Sequence, residues 1–301
     1  MTAVDVRIYE VGPRDGLQAE HTVVATEDKL RFIGLLADAG LREIESTSFV
    51  SPSAVPQVAD ADALMRRLDR RPGMRYPVLV PNSRGLERAI AADVDAICLM
   101  TAATESYVRH NINMGIDESL TTFAPIAAEA RRRGWWLRAY VSTAFGCPYE
   151  GEVDAAAVVR VSERLVAMGV DELSISDTLG VAAPADIDRV LAALAAAGIG
   201  PDVVALHLHD TRGTALASVM AALEHGITAF DASTGGTGGS PFAPGAAGNL
   251  ATEDLVYLLD RQGLRHGVDL DGVLAAARFI GQALGRSEAV SKVGRAGAWP
   301  R

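Results

Sequence analysis

Short apolar segments rich in β-branched and aromatic residues recur along the chain at intervals of about 32 residues, each followed by a helical pattern. The eight segments are VRIYEV (6–11), EIESTSF (43–49), RYPVLV (75–80), AICLM (96–100), LRAYVS (137–142), ELSISDT (172–178), VALHLH (204–209) and AFDAS (229–233). Strict alternation of strand and helix is typical of parallel sheets, and eight units fit a closed barrel better than an open sheet. The pattern therefore predicts an α/β fold, a (β/α)8 TIM barrel.

We expect a single catalytic domain over residues 1–301. The barrel would span about 4–263, and a C-terminal helical extension would span about 264–301. The extension contains LDGVLAAARFIGQALG (270–285), whose apolar spacing predicts an additional helix beside or across the barrel. With 301 residues and 49% apolar content, the chain can bury the core that such a domain needs.

The composition argues against several classes of partner. Net charge is −10, and no basic run is interleaved with aromatic residues, so nucleic acid is not expected as a partner. No apolar stretch approaches the roughly 20 residues of a membrane helix, so no membrane partner is expected. Two cysteines are too few for a disulfide framework, and the N-terminal segment lacks targeting features. Together these features predict a cytoplasmic protein.

Active sites of TIM barrels lie at the C-terminal ends of the strands, where the βα loops meet. Polar residues occupy this position in several of the predicted units. They are Arg14 and Asp15, Glu45 and Ser48, Tyr140, Ser174 and Asp177, His207 and His209, and the glycine-rich loop 235–249.

His207 and His209 are two residues apart on a predicted strand, so their side chains project to the same side. One interpretation is a polar pair satisfied within the barrel interior, and the other is a metal site. Asp15 follows strand 1, which adjoins strand 8 when the barrel closes, and Asn249 follows the glycine-rich loop. One carboxylate, two imidazoles and one amide oxygen would suit Mg²⁺ or Mn²⁺ better than Zn²⁺.

Several longer motifs closely resemble the 3-hydroxy-3-methylglutaryl-CoA (HMG-CoA) lyase family. They are YEVGPRDGLQAE (9–20), ESTSFVSPSAVPQVADAD (45–62), YVSTAFGCPYEG (140–151), SISDTLGV (174–181), HLHDTRGTALA (207–217) and GGTGGSPFAPGAAGNLATEDLVYLL (235–259). The resemblance extends from about residue 6 to 293. Related barrel synthases share the Arg-Asp and HxH elements but not the GNLATEDLVY stretch, so the likeness is specific to the lyases.

The resemblance implies a divalent metal, Mg²⁺ or Mn²⁺, held by Asp15, His207, His209 and Asn249. It implies Arg14 as a catalytic residue and Glu45 as a carboxylate beneath the site, with Asp15 or His207 as alternative bases. Site-lining positions of the family fall on Gln18, Ser48, Asn111, Tyr140, Ser174 and Asp177. A structural turn is an equal alternative for the HNIN segment that contains Asn111 and Asn113.

The implied reaction is cleavage of HMG-CoA, a CoA thioester, to acetyl-CoA and acetoacetate, a step of leucine degradation and ketone-body metabolism. The implied assembly is a homo-oligomer, a dimer or higher. The chain departs from the family at Ser240, where the lyases have the loop cysteine taken to protonate the product enolate. A serine hydroxyl is a far weaker acid than a thiol.

Three alternatives follow from Ser240. Another residue or water delivers the proton; or the substrate is a related 3-hydroxyacyl-CoA, citramalyl-CoA-like or longer; or the chain binds acyl-CoA with impaired catalysis. A metal-dependent hydrolase is a rival from another class, but it would need further histidines on other strands. A condensing synthase is disfavoured by the GNLATEDLVY stretch.

Overall fold

Parallel strands form one closed sheet in the computed structural model, which describes residues 5–239 and 248–296. The strands are β1 (Arg7–Glu10), β2 (Glu43–Ile44), β3 (Thr47–Ser48), β4 (Val78–Leu79), β5 (Ala96–Ala102), β6 (Trp136–Ser142), β7 (Glu172–Asp177), β8 (Val204–Leu208) and β9 (Ala229–Ala232). They pair in the order β2-β1-β9-β8-β7-β6-β5-β4-β3. Because β2 and β3 are consecutive parts of one stretch, that stretch joins the two ends and closes an eight-membered barrel. The predicted TIM barrel is confirmed.

The second and third predicted segments form shorter strands than expected. EIESTSF (43–49) is divided into β2 and β3, and only Val78–Leu79 of RYPVLV (75–80) forms β4. Between β2 and β3, the amide of Glu45 donates to the Glu10 carbonyl at 2.9 Å, while the amide of Ser46 donates to the Pro77 carbonyl at 2.9 Å. The chain thus changes partner strand within two residues. Pro77 has no amide hydrogen, so it cannot extend the ladder on its own strand.

Helices cover the outside of the barrel. They are α1 (Thr26–Asp38), α2 (Ala61–Arg67), α3 (Ser83–Ala91), α4 (Glu105–Ile112), α5 (Ile116–Arg133), α6 (Ala155–Ala167), α7 (Pro184–Ala196), α8 (Ala215–Glu224), α9 (Thr252–Gln262), α10 (Leu270–Ala283) and α11 (Lys292–Ala296). The additional C-terminal helix α10 packs against α1 and α9. Among the described residues, no helix is long and apolar enough to cross a membrane.

Two apolar clusters lie on the two sides of the sheet. The larger one fills the space between strands and helices, as expected for parallel strands buried on both faces. The smaller one lies inside the barrel and contains Tyr9, Val11, Leu79, Cys98 and Tyr140. The interior also holds buried charges, among them Arg138 and Asp231. Polar groups inside a barrel must be paired, and their pairing organises the site above them.

Candidate active site

Arg14 and Asp15 lie in a single turn of π-helix, Gly12–Gly16, directly after β1. The buried carboxylate of Glu10 accepts the amide of Gly12 at 2.8 Å and the amide of Thr234 at 2.9 Å. It also accepts the hydroxyl of Thr252 at 2.7 Å. Glu10 therefore ties the loop after β1 to the loop after β9, and these two loops carry Asp15 and Asn249.

His207 lies on β8, and His209 follows one residue after the strand ends. His209 forms an antiparallel bridge with Asn249, and the amide of Asp210 donates to the Gly248 carbonyl at 2.8 Å. This short ladder brings Asn249 beside the histidines. The amide side chain of Asn249 therefore lies next to the two imidazoles that the sequence predicts on one side of the strand.

Asp15, His207 and His209 place one ligand atom each within 4.8 Å of one another. The Nε2 atoms of the two histidines lie 3.2 Å apart, and the Nε2 of His207 lies 4.0 Å from an oxygen of Asp15. Within residues 5–239 and 248–296, no other cluster of three or more His, Cys, Asp or Glu residues has this metal-ligand geometry.

The side chain of Asn249 tests whether these residues fit a metal ion. Its Nδ2 donates to Asp15 at 2.8 Å and to the Thr237 carbonyl at 3.3 Å. Its Oδ1 is buried and has no hydrogen-bond partner among the described residues. A buried acceptor without a donor is costly unless another group binds it. Carboxylate, imidazole and amide oxygen together fit a hard or borderline divalent cation.

The charges of the ligands also suit a cation. Burial alone would raise the pKa of Asp15, but Arg14, the two histidines and the Asn249 amide lower that pKa to about 2. Burial and the neighbouring His207 lower the pKa of His209 to about 3, although Asp15 acts in the opposite direction. At neutral pH the group therefore holds an ionised carboxylate and a neutral His209 imidazole, the forms that bind metals.

Arg14 lies beside the cluster and is almost fully buried. Its Nε donates to Glu45 at 2.7 Å, and its Nη1 donates to Asp15 at 2.7 Å. Tyr140 stacks near the guanidinium, 5.2 Å from the ring centre, and its hydroxyl donates to Glu45. The guanidinium is thus held in one orientation within a water-poor region, with its charge directed to the site.

A cavity of about 240 Å³ opens above these residues. Seven of the predicted site residues line it: Arg14, Asp15, Gln18, Asn111, Tyr140, His207 and His209. Asn113, close to Asn111 in sequence, instead ends α4 in the left-handed conformation. Asn113 thus forms a turn, Asn111 lines the cavity, and a contact of Asn111 with substrate stays a prediction.

Three predicted site residues make contacts away from the cavity. The hydroxyl of Ser48 accepts the amide of Val50, and that of Ser174 donates to Asp231. The carboxylate of Asp177 accepts the amides of Val181 and Ala182, and burial raises its pKa. Their roles in substrate binding stay predictions. Ser240 lies outside the described residues.

Sequence reasoning missed several residues of the site. Ser142, Ser176 and Thr178 line the cavity, and Asp231 lies beneath His207. The signal for Ser142 was present, since it follows Tyr140 by two residues on β6 and shares its inward face. Ser176 follows Ser174 in the same way on β7.

A larger cavity, about 600 Å³, lies at the opposite end of the barrel. Three of its charged lining residues pair with one another, because Glu43 accepts hydrogen bonds from both Arg7 and Arg75. The ring of Trp136 is covered by Arg75, whose guanidinium carbon lies 4.2 Å from the ring centre. Among the described residues that line it, no three His, Cys, Asp or Glu side chains have the geometry of the metal-ligand cluster.

Comparisons with known proteins agree with the geometry. A model of the HMGL-like family matches residues 5–280. Hydroxymethylglutaryl-CoA lyase of Bacillus subtilis is 47% identical over 281 residues, which cover 93% of this chain and 94% of the relative. The mitochondrial hydroxymethylglutaryl-CoA lyase of Bos taurus is 46% identical, covering 93% of this chain and 86% of the relative.

Solved structures give the same result. The crystal structure of the Bacillus subtilis HMG-CoA lyase has a TM-score of 0.94 at 45% identity, covering 97% of both chains. An HMG-CoA lyase from Acinetobacter baumannii, solved with coenzyme A and 3-methylmalate, has a TM-score of 0.92 at 35% identity and covers both chains completely. The resemblance of the sequence motifs is confirmed, and the chain belongs to the HMGL-like family, together with the HMG-CoA lyases.

Proposed function

We propose that this protein is a divalent-metal-dependent carbon–carbon lyase that cleaves HMG-CoA to acetyl-CoA and acetoacetate. The names of its relatives support the substrate. The single observation that supports the proposed reaction is the position of Arg14 beside the metal-ligand cluster. Its guanidinium donates at 2.7 Å to Asp15, which belongs to the metal-ligand cluster.

Asp15, His207, His209 and Asn249 would hold the metal. A bound Mg²⁺ or Mn²⁺ lowers the pKa of a coordinated alcohol and orients the bond to be broken. Mg²⁺ and Mn²⁺ are both compatible with this donor set, in which no thiolate takes part.

The reaction is a retro-Claisen cleavage. The tertiary hydroxyl loses its proton and becomes the ketone of acetoacetate, while the carbon–carbon bond breaks toward the thioester. The electron pair of that bond forms the enolate of acetyl-CoA, which then takes up a proton. Of the two expected bases, Asp15 is the one we propose for the first proton. His207 has no nitrogen left to accept it when Nε2 binds the metal and Nδ1 donates to Asp231.

Arg14 would stabilise the negative charge that grows on the thioester oxygen. A fixed, charge-assisted donor in a region with little water is among the strongest contributions an active site can make. Glu45 orients the guanidinium and is itself held by the Tyr140 hydroxyl. Because these groups are aligned before substrate arrives, little reorganisation is needed during the reaction.

Ser240 favours a second candidate. The enolate needs a general acid, and a serine hydroxyl is too weak an acid to replace a thiol without an adjacent partner. A related 3-hydroxyacyl-CoA, citramalyl-CoA-like or longer, is therefore the alternative substrate, its enolate being protonated by another group.

We also propose that the protein is cytoplasmic and assembles into a homo-oligomer. The family resemblance supports an oligomer. Size-exclusion chromatography with light scattering measures the assembly directly.

A panel of 3-hydroxyacyl-CoA thioesters tests the proposed function. Purified protein with Mg²⁺ or Mn²⁺ should release acetyl-CoA from HMG-CoA faster than from citramalyl-CoA or longer-chain thioesters. Faster release from another member would favour the alternative substrate. No release from any member, in protein shown to bind metal, would contradict both candidates.

A further inference from the structure

Arg138 and Asp231 form a fully buried ion pair in the middle of the barrel, below the cavity. The Nη1 and Nη2 atoms of Arg138 donate to the two carboxylate oxygens of Asp231 at 3.0 and 2.5 Å. Both side chains have zero exposure. Neither residue lines the cavity, and the proposed reaction assigns no step to them.

Asp231 is in direct contact with His207. Its Oδ2 lies 3.1 Å from Nδ1 of the imidazole. An ionised carboxylate can only accept a hydrogen bond, so Nδ1 must carry the proton. In the neutral imidazole the other nitrogen, Nε2, is then an acceptor, and Nε2 is the atom that faces His209 and Asp15.

Asp231 is itself held on several sides. Besides Arg138, the hydroxyl of Ser174 donates to its Oδ2 at 3.1 Å. Arg138 in turn donates from Nε to Glu172 at 2.7 Å, and its guanidinium carbon lies 3.9 Å from the ring centre of Tyr9. Three hydrogen bonds from buried donors, two from Arg138 and one from Ser174, therefore fix the orientation of the Asp231 carboxylate.

Arg138 also reaches the other half of the site. Its Nη1 donates to the hydroxyl of Tyr140 at 2.9 Å. That hydroxyl donates to Glu45, and Glu45 holds Arg14. One buried guanidinium therefore supports both His207, through Asp231, and Arg14, through Tyr140 and Glu45.

We infer that Asp231 and Arg138 are positioning residues. Asp231 keeps the proton of His207 on Nδ1 so that Nε2 is available to the metal, and Arg138 keeps Asp231 in place. Carboxylates that orient metal-binding imidazoles in this way commonly contribute ten- to a hundredfold to metal affinity. The inference rests on the proposed metal site, but it concerns the ring proton of His207, whose position can be measured without metal or substrate.

The wild-type protein provides the first test. Long-range ¹H–¹⁵N NMR at pH 8 on metal-free protein, with His207 assigned by comparison with His207→Gln, reports which ring nitrogen carries the proton. The expected result is a single tautomer of His207 protonated at Nδ1. A spectrum with the proton on Nε2, or divided between the two nitrogens, would overturn the inference. Neither result depends on whether HMG-CoA is cleaved.

A double variant provides the second test. Arg138→Met/Asp231→Leu removes both buried charges together, a change that well-packed interiors often tolerate, whereas either single change would strand a charge. We expect His207 to lose its single tautomer and the Kd for Mn²⁺ to rise ten- to a hundredfold. A folded double variant with an unchanged tautomer and a Kd within twofold would show that the pair is only structural. If the double variant does not fold, the wild-type spectrum alone decides.

The matched control is another ion pair, one partner of which is buried. Lys29 and Asp60 are 2.6 Å apart, with Lys29 only 3% exposed, and neither lines the cavity. Lys29→Met/Asp60→Leu should leave the His207 tautomer and the Mn²⁺ affinity unchanged. An equal loss of Mn²⁺ affinity in this control would contradict a specific role for Arg138 and Asp231.

Discussion

Glu45 holds Arg14 with two hydrogen bonds, from Nε at 2.7 Å and from Nη2 at 3.2 Å, and both side chains are buried. Planar pairing of this kind fixes the direction of a guanidinium as well as its charge. Glu45 does not belong to the metal-ligand cluster. The arrangement therefore separates the orientation of Arg14 from the binding of metal, and the two can be tested independently.

Glu45→Ala should reduce kcat about a hundredfold, because Arg14 loses the partner that directs it to the site. The Kd for Mn²⁺, measured by calorimetry, should change by less than about threefold. Glu27→Ala is the control, since Glu27 pairs with Arg67 at the surface and should leave kcat unchanged. Equal losses of activity and Mn²⁺ binding in Glu45→Ala would contradict the separation.

Arg14→Lys should reduce kcat about 10²- to 10³-fold, even though the positive charge remains. An ammonium group cannot reproduce the fork of donors that contacts both Glu45 and Asp15. Steady-state kinetics with HMG-CoA at saturating Mn²⁺ measures the effect. A kcat within tenfold of the wild type would show that charge alone suffices at this position.

Asn249→Ala should weaken Mn²⁺ binding by at least about tenfold, because the buried Oδ1 would no longer be available to the ion. His209→Ala should abolish stoichiometric binding. The matched amide is Asn111, which lines the cavity outside the ligand cluster, so Asn111→Ala should raise KM without changing the Mn²⁺ affinity. Wild-type affinity in Asn249→Ala would remove Asn249 from the ligand set.

Much of this site could be predicted because strand ends and two-residue spacing are local properties. His207 and His209 share a side through their spacing, and Asp15 comes close because closure of the barrel places β1 beside β9. The contacts of Ser174 and Asp177 could not be predicted in this way. Their strand positions are correct, but which donors their oxygens meet depends on Asp231 and on the amides of residues 181–182.

The break between β2 and β3 also could not be predicted from the sequence pattern. EIESTSF reads as one strand because its local propensity is continuous, whereas the change of partner at Glu45 and Ser46 depends on Glu10 and Pro77 across the sheet. Arg138 was visible as a charge within a strand, but its pairing with Asp231, 93 residues away, is set by the closed barrel.

Glu253 should make stability depend on pH. Burial raises its pKa from 4.5 to about 7, against the hydrogen bonds from Ser291 and Gly235. Between these two values the folded protein binds a proton that the unfolded chain releases, so this stabilisation is present below pH 4.5 and lost as the pH rises to 7. We expect wild type to lose about 2 to 3 kcal/mol relative to Glu253→Gln between pH 5 and pH 8. Parallel unfolding curves for the two proteins across this range would contradict the raised pKa.

Ser240→Cys should raise the turnover of HMG-CoA several-fold if protonation of the enolate limits the reaction. A thiol has a reference pKa of about 8.5, far below that of an unassisted hydroxyl. Ser287→Cys, which adds a thiol in the C-terminal segment, controls for the added group. An unchanged turnover in Ser240→Cys would mean that another group already supplies the proton.

The most direct test of the proposed function is product analysis with HMG-CoA before and after chelation. Purified protein with Mn²⁺ should form acetyl-CoA and acetoacetate in equal amounts; EDTA should stop the reaction and renewed Mn²⁺ should restore it. Product formation that persists in chelated protein, or protein that binds Mn²⁺ and forms neither product, would contradict the account.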